Sequence, residues 1–260
     1  SGNSTNKSCP TATAGSSWNY STNCTSWSYV HPPNTAPALT TKTAMPTARY
    51  GHAVVAVGGK IYAIGGMNGS TYYRVVEQYD PATNTWTTKA NMPTARALPA
   101  AVAIDGIIYV IGGKNGSSSV TVNEAYDPLT NTWTSKAPMP TARNGLAAAA
   151  VDGRIYAVGG ATGTSLSSTP LNLNQRYDPS TNSWATMAAL PTARTNLTAA
   201  AANGRIYVFG GWTGSAGLSS NEFYDPITNS WAKGTALPAV ADSMGSAVIG
   251  NRIYLIGGYR

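Results

Sequence analysis

Short apolar runs with an alternating polarity fill most of this chain, and tight-turn residues punctuate them. Residues 52–57 read HAVVAV; Gly58-Gly59 follows, then a second run ending in YAIGG at Gly66. Alternation with period two around such a turn predicts a β-hairpin. The corresponding turns elsewhere are Asp105-Gly106, Asp152-Gly153, Asn203-Gly204 and Gly250-Asn251, built from residues that tolerate positive φ. The apolar run closes on Gly-Gly five times, at Gly65-Gly66, Gly112-Gly113, Gly159-Gly160, Gly210-Gly211 and Gly257-Gly258, so the spacings are 47, 47, 51 and 47 residues. Two further markers keep step. Tyr-Asp-Pro-x-Thr-Asn-x-Trp ends at Trp86, Trp133, Trp184 and Trp231; MPTAR or LPTAR ends at Arg49, Arg96, Arg143 and Arg194 and decays to LPAVA at Ala241. Three markers in fixed order at one period define an array of supersecondary units. Each unit predicts four short strands, the third ending in the tyrosine and the fourth opening on the tryptophan. One such sheet cannot cover both of its faces, whereas sheets packed radially can.

The Gly-Gly doublet, the tyrosine before the Asp-Pro turn and the spaced tryptophan resemble the kelch repeat of β-propellers. The resemblance covers about residues 45–260 and implies an all-β, kelch-type propeller. Four repeats are complete, roughly 47–91, 94–138, 141–189 and 192–236, and the fifth has its first two strands only. Five four-stranded blades are therefore expected, with the N-terminal side supplying the last blade's outer strands. Leu39 falls at the tryptophan position and Tyr29 near the tyrosine position, which gives residues 29–44 to blade five within a propeller of residues 29–260. Two alternatives stand beside this closure: a fragment of a longer parent, and outer strands donated by a neighbouring subunit to build a polymer.

Composition narrows the class. Charged residues make up 10% of the chain against about a quarter in ordinary domains. Glycine and proline are too dense for helix bundles, and no apolar run is long enough to span a membrane as a helix. The chain opens on Ser1 without a signal sequence, so a targeting segment is expected to be removed or never present. The net charge of +7 favours anionic partners, but the cations are scattered singly, which does not suit nucleic acid. Residues 1–28 form a Ser/Thr/Asn-rich head that holds both cysteines, and a Cys9–Cys24 disulfide is expected, worth on the order of 3 kcal/mol for a loop of about 15 residues. Sequons at Asn3, Asn6, Asn19, Asn23, Asn68, Asn115 and Asn196 are glycosylation candidates and point with the disulfide to an extracellular or cell-surface setting.

Catalytic chemistry finds little to stand on. Asp80, Asp127, Asp178 and Asp225 belong to the Asp-Pro turns, and Glu77, Glu124 and Glu222 recur at one repeat position with Gln175 as the fourth. Acid/base catalysis needs carboxylates in contrasting environments, not copies. The copper site of galactose-oxidase-like kelch propellers needs two histidines, but His31 and His52 are out of repeat phase; the E-x-x-x-D-x-x-x-H iron string of plant specifier proteins is absent. No metal or other cofactor is expected. Sialic-acid mutarotases share the fold, so a carbohydrate-active kelch enzyme of the mutarotase or galactose-oxidase-like type is the alternative to a non-enzyme.

The arginines are the binding candidates. Arg49, Arg96, Arg143 and Arg194 recur where the chain enters each innermost strand, on the face of the loops joining strands two and three. Guanidinium groups suit carboxylates and sulfates, and the resemblance implies acidic-peptide recognition by arginines at this rim. The competing reading pairs each arginine with Glu77, Glu124 or Glu222 of an adjacent blade for packing, with one arginine left over. Tyr72, Tyr73, Arg74, Trp212 and Tyr259 are not forced by the repeat and are candidates to decorate the same face. The expected partners are a protein or an acidic glycan, or further copies of the chain joined by strand addition or by the head.

Overall fold

The computed structural model of this chain describes residues 40–116, 118–163 and 169–259. The expected head with Cys9 and Cys24, the sequons at Asn3, Asn6, Asn19 and Asn23, His31, and the closing strands up to residue 39 lie outside the described residues. Contacts divide the chain after Lys42, and the fold is that of Thr43 onward. Among the described residues no helix is long and apolar enough to cross a membrane.

Four antiparallel four-stranded sheets repeat in chain order. Blade 1 consists of Ala53–Val57, Lys60–Ile64, Val76–Asp80 and Thr85–Lys89. Blade 2 is Ala100–Ile104, Ile107–Ile111, Asn123–Asp127 and Thr132–Ser135; blade 3 is Ala147–Val151, Arg154–Val158, Asn174–Asp178 and Ser183–Thr186. Blade 4 is Thr198–Ala202, Arg205–Phe209, Asn221–Asp225 and Ser230–Lys233, and blade 5 has, among the described residues, the strands Gly245–Ile249 and Arg252–Ile256. In four of the five first hairpins both turn residues have positive φ, as at Asp105 (50°) and Gly106 (81°), which matches the twist of the flanking strands.

Apolar layers lie between successive blades. Ile64 and Val76 of blade 1 pack with Ile108 and Val110 of blade 2 over Met92, and the next two junctions repeat the arrangement over Met139 and Leu190. Each fully buried aliphatic side chain of such a layer contributes about 1.5–3 kcal/mol. The innermost strands, rich in alanine because the blades converge there, line an axial cavity of about 640 Å³.

The Asp-Pro turn has a second role. Asp80 Oδ1 accepts the amide of Ala82 (2.9 Å), which tightens the turn, and Asn84 then takes a left-handed φ of 55°. Its Oδ1 accepts both the Tyr79 hydroxyl (2.7 Å) and the amide of Thr43 (3.0 Å), while Trp86 Nε1 donates to the carbonyl of Thr43 (2.9 Å). Asn-x-Trp thus clamps one residue from both sides of its peptide. The same clamp in blades 2, 3 and 4 holds Ala90, Ala137 and Ala188, each just past the fourth strand of the blade before. The sequence marker is therefore a blade-to-blade fastening.

The tyrosines in this clamp set an alkaline limit. Burial pushes the hydroxyls of Tyr126, Tyr177 and Tyr224 up to about 12 from the usual 10. The unfolded chain therefore loses these protons first. Their contribution is complete below pH 10 and is lost as pH rises from about 10 to 12. Arg143, held down at about 10 by burial, works the other way over that window but is a single group against three. Melting temperature should fall above pH 10, and Tyr126→Phe should flatten the fall; thermal melts followed by circular dichroism between pH 8 and 11.5 check both.

Candidate functional site

The loops between second and third strands gather on one face with the segments that lead into the first strands. Antiparallel bridges join Tyr50 to Met67, Ala97 to Lys114, Asn144 to Ala161, Thr195 to Trp212 and Asp242 to Tyr259. Short ribbons rise from this face: Met67–Asn68 with Thr71–Tyr72, Lys114–Asn115 with Ser118–Ser119, and Ala161–Thr162 with Thr169–Pro170. They brace one another. The Tyr72 hydroxyl donates to Gly116 O (2.9 Å), and Asn144 Nδ2 reaches Ser119 Oγ (2.8 Å) and Gly163 O (3.0 Å).

The arginines start on this face but turn into the blades, and this corrects their expected rim role. The side chains of Arg49, Arg96 and Arg194 are 0% exposed and paired with Glu77, Glu124 and Glu222. Each pair lies within one repeat, not between adjacent blades as the packing alternative supposed. Arg96 shows the pattern: Nη1 donates to Glu124 Oε2 (2.5 Å) and Thr94 O (3.0 Å), and Nη2 to Val110 O (2.9 Å). The Thr94 hydroxyl donates to the other Glu124 oxygen (2.7 Å), so Pro-Thr-Ala-Arg is a device for satisfying one buried carboxylate. An arginine consumed in this way has no face left for a ligand.

Arg143 is the one left over, because Gln175 stands at the glutamate position. Its guanidinium is buried among neutral acceptors, namely the carbonyls of Gly159, Ala157 and Leu173 and the Gln175 amide oxygen (2.9 Å). Burial lowers it to about 10, so at neutral pH it stays a cation, held at a desolvation cost without a charged partner. Gln175→Glu should restore the ion pair and raise stability by about 1–2 kcal/mol, the margin of a charge-assisted over a neutral hydrogen bond. Denaturant unfolding at pH 7 measures it, and a loss of stability would show that Arg143 does not accept a partner.

With the arginines withdrawn, the face is defined by the mouth of the axis. A cavity of about 410 Å³ opens there, lined among others by Tyr50, His52, Asn196 and Ser243. The residue two places after each arginine, or after Ala241, has a left-handed φ: Gly51 (62°), Leu98 (54°), Gly145 (59°), Asn196 (53°) and Ser243 (56°). Their backbones pass hydrogen bonds around the mouth, Leu98 to Gly51, Gly145 to Leu98, Asn196 to Gly145 and Ser243 to Asn196 (2.7–3.0 Å). Sequence alone did not mark this ring, since leucine at one position hides the φ that glycine and asparagine hint at. His52 has a buried Nδ1 without a hydrogen bond among the described residues, and burial, with Arg49 behind it, lowers its pKa.

The other candidates divide. Tyr259 is 75% exposed, Arg74 is exposed, and Tyr72, Tyr73 and Trp212 are half-buried on the ribbon side. Tyr50, 58% exposed, escaped the sequence reading. The sequons at Asn68 and Asn115 stand exposed at ribbon tips. The sequon residue Asn196 lines the mouth beside buried Leu197 and Thr198, so a glycan there would fill the cavity. Among the described residues no group of three or more His, Cys, Asp or Glu is placed to hold a metal.

Comparison with known proteins agrees with this geometry. The KLHDC2/KLHL20/DRC7 Kelch-repeats domain matches residues 17–160, and the Kelch motif matches 142–191 and 193–238. No curated protein matches. Among solved structures 321 chains match; that of YjhT aligns with a TM-score of 0.74 at 17% identity, over 84% of this chain and 80% of that one, a likeness of fold. With one family profile spanning more than half of the sequence and the repeat geometry in place, the chain belongs to the kelch-repeat family.

Proposed function

We propose that this chain is an extracellular, non-catalytic recognition module whose ligand sits at the axial mouth on the ribbon face. Kelch propellers are binding scaffolds in general. The observation that carries the reading is the pair of exposed tyrosines, Tyr50 and Tyr259, on the ribbon face from which the 410 Å³ mouth opens. Aromatic faces beside Asn196, Ser243 and His52 suit the apolar faces and hydroxyls of a sugar, or a peptide side chain among polar groups. An acidic ligand loses its carrier, because the repeat arginines and glutamates are consumed inside the blades. That same consumption supports a non-enzyme: three of the four inward-facing repeat positions hold a paired carboxylate, and none faces the mouth. The exposed ribbon-tip sequons and the paired spacing of the head cysteines support an extracellular setting.

A glycan array and a peptide array with the full chain test the reading. The double variant Tyr50→Ala/Tyr259→Ala should lose about tenfold or more of the binding found, with an unchanged melting temperature. Unaltered binding moves the site elsewhere, and turnover of a sugar by pure protein overturns the non-catalytic reading.

A further inference from the structure

One repeat position changes its chemistry while its backbone stays the same. The residue after each arginine, or after Ala241, makes an antiparallel bridge to the ribbon side in every repeat, yet it is Tyr50, Ala97, Asn144, Thr195 and Asp242 in turn. The fold asks the same of each, so it does not account for the differences. Packing takes up three of them. Ala97 has no polar side chain, Asn144 Nδ2 is engaged by Ser119 and Gly163, and the Thr195 hydroxyl donates to Gly145 O (3.3 Å). Tyr50 and Asp242 remain.

Asp242 differs from the carboxylates of the repeat pattern. Glu77, Glu124 and Glu222 are buried against arginines, and Asp80, Asp178 and Asp225 pair with Lys60, Arg154 and Arg205. Asp242 has no cation beside it among the described residues. Its Oδ1 accepts the Ser243 hydroxyl (2.7 Å), which orients the carboxylate and leaves Oδ2 without a partner among the described residues. Asp242 and Tyr259 exchange both backbone hydrogen bonds (3.1 and 2.9 Å), so they stand directly opposite with their side chains on one face of the ribbon. Tyr259 is 75% exposed. A carboxylate beside an open aromatic ring suits an ammonium group, through a charge-assisted hydrogen bond to one and a cation–π contact with the other.

Building on the recognition reading, we propose that Asp242 and Tyr259 form an ammonium subsite at the rim of the mouth, and that the ligand is an amino sugar with a free primary amine. The choice of a sugar rests on what adjoins the subsite. Ser243 and Asn196 line the mouth next to it, and they suit the hydroxyls of a ring that carries the amine, whereas the alkyl stem of a lysine side chain has no use for them. The net charge of +7 opposes a cationic ligand at long range only, because at about 0.1 M salt it is screened beyond ~10 Å.

Titration calorimetry of the full chain at pH 6 with the glucosamine tetramer and its fully N-acetylated counterpart tests this, since the two probes differ at the amine alone. The glucosamine tetramer should bind at least about tenfold more tightly, as expected for one ammonium held by a carboxylate and an aromatic face. Asp242→Asn should erase that preference while affinity for the acetylated tetramer and the melting temperature stay unchanged, and Asp242→Glu should keep part of it. Equal binding of the two tetramers overturns the proposal. So does an Asp242→Asn variant that weakens both alike, because the residue would then hold the shape of the rim and not a charge. A lysine tetrapeptide that binds as tightly as the glucosamine tetramer overturns the sugar in favour of a peptide. Tighter binding of the acetylated tetramer ends the ammonium subsite and leaves the recognition reading standing; binding of neither also overturns the subsite, while the arrays decide the recognition reading separately.

Discussion

Replacing Glu124 by alanine should cost about 3–5 kcal/mol of stability, the usual result of stripping one partner from a buried ion pair. The reason is local. Arg96 is 0% exposed and cannot swing to water, so its charge would remain inside blade 2 with only the Thr94 and Val110 carbonyls to face. The Thr94 hydroxyl would lose its acceptor as well. Glu124→Gln should cost less, about 1–2 kcal/mol, because an amide leaves an acceptor for the guanidinium. Blade 3 already runs this experiment, since Arg143 is held by Gln175 with backbone carbonyls completing its partners. Urea unfolding at pH 7 gives both values. A Glu124→Ala variant within about 0.5 kcal/mol of the parent would mean that the pair does not hold the arginine, and a ligand role for Arg96 would reopen.

That arginine marks the limit of what the sequence conveyed. The repeat, the four strands of each unit, the two-residue turns and the face shared by the arginine segments and the ribbons were legible, because each rests on backbone chemistry that glycine, proline, asparagine and alternation express directly. Side-chain direction at Arg49, Arg96, Arg143 and Arg194 was not. Recurrence at one repeat position is equally consistent with a rim of ligands and with a structural pair, and the pair was settled by where Thr94 and Glu124 place their oxygens. The odd position, Gln175, was visible as a departure from the glutamate pattern, but its consequence, a buried cation among neutral acceptors, needed coordinates. The mouth was the least legible part. Tyr50 and His52 belong to the first repeat, Asn196 to the fourth and Ser243 to the fifth, and only a ring of left-handed residues, one of them Leu98, brings them together.

The doublet glycines lend themselves to the second large effect. Gly112→Ala should destabilise by about 2–5 kcal/mol, from a left-handed conformation that costs about 1–2 kcal/mol with a Cβ and from overpacking of about 1–3 kcal/mol. Gly112 has φ of 64°, and its Cβ would stand 2.6 Å from Arg143 O, 3.0 Å from Leu146 Cδ2 and 3.3 Å from Met139 Cε. The first of these is backbone that already accepts a hydrogen bond from Gly113, so it cannot retreat without opening the junction of blades 2 and 3. Gly106→Ala is the control: φ is 81° but nothing lies within 4 Å, so the conformational cost of about 1–2 kcal/mol should stand alone. Gly257→Ala is a second control, with φ of 72° and nothing within 4 Å of the added Cβ among the described residues, so it should cost no more than Gly106→Ala. Parallel thermal melts of the three variants separate the overpacking at the junction of blades 2 and 3 from the conformational cost that all three share.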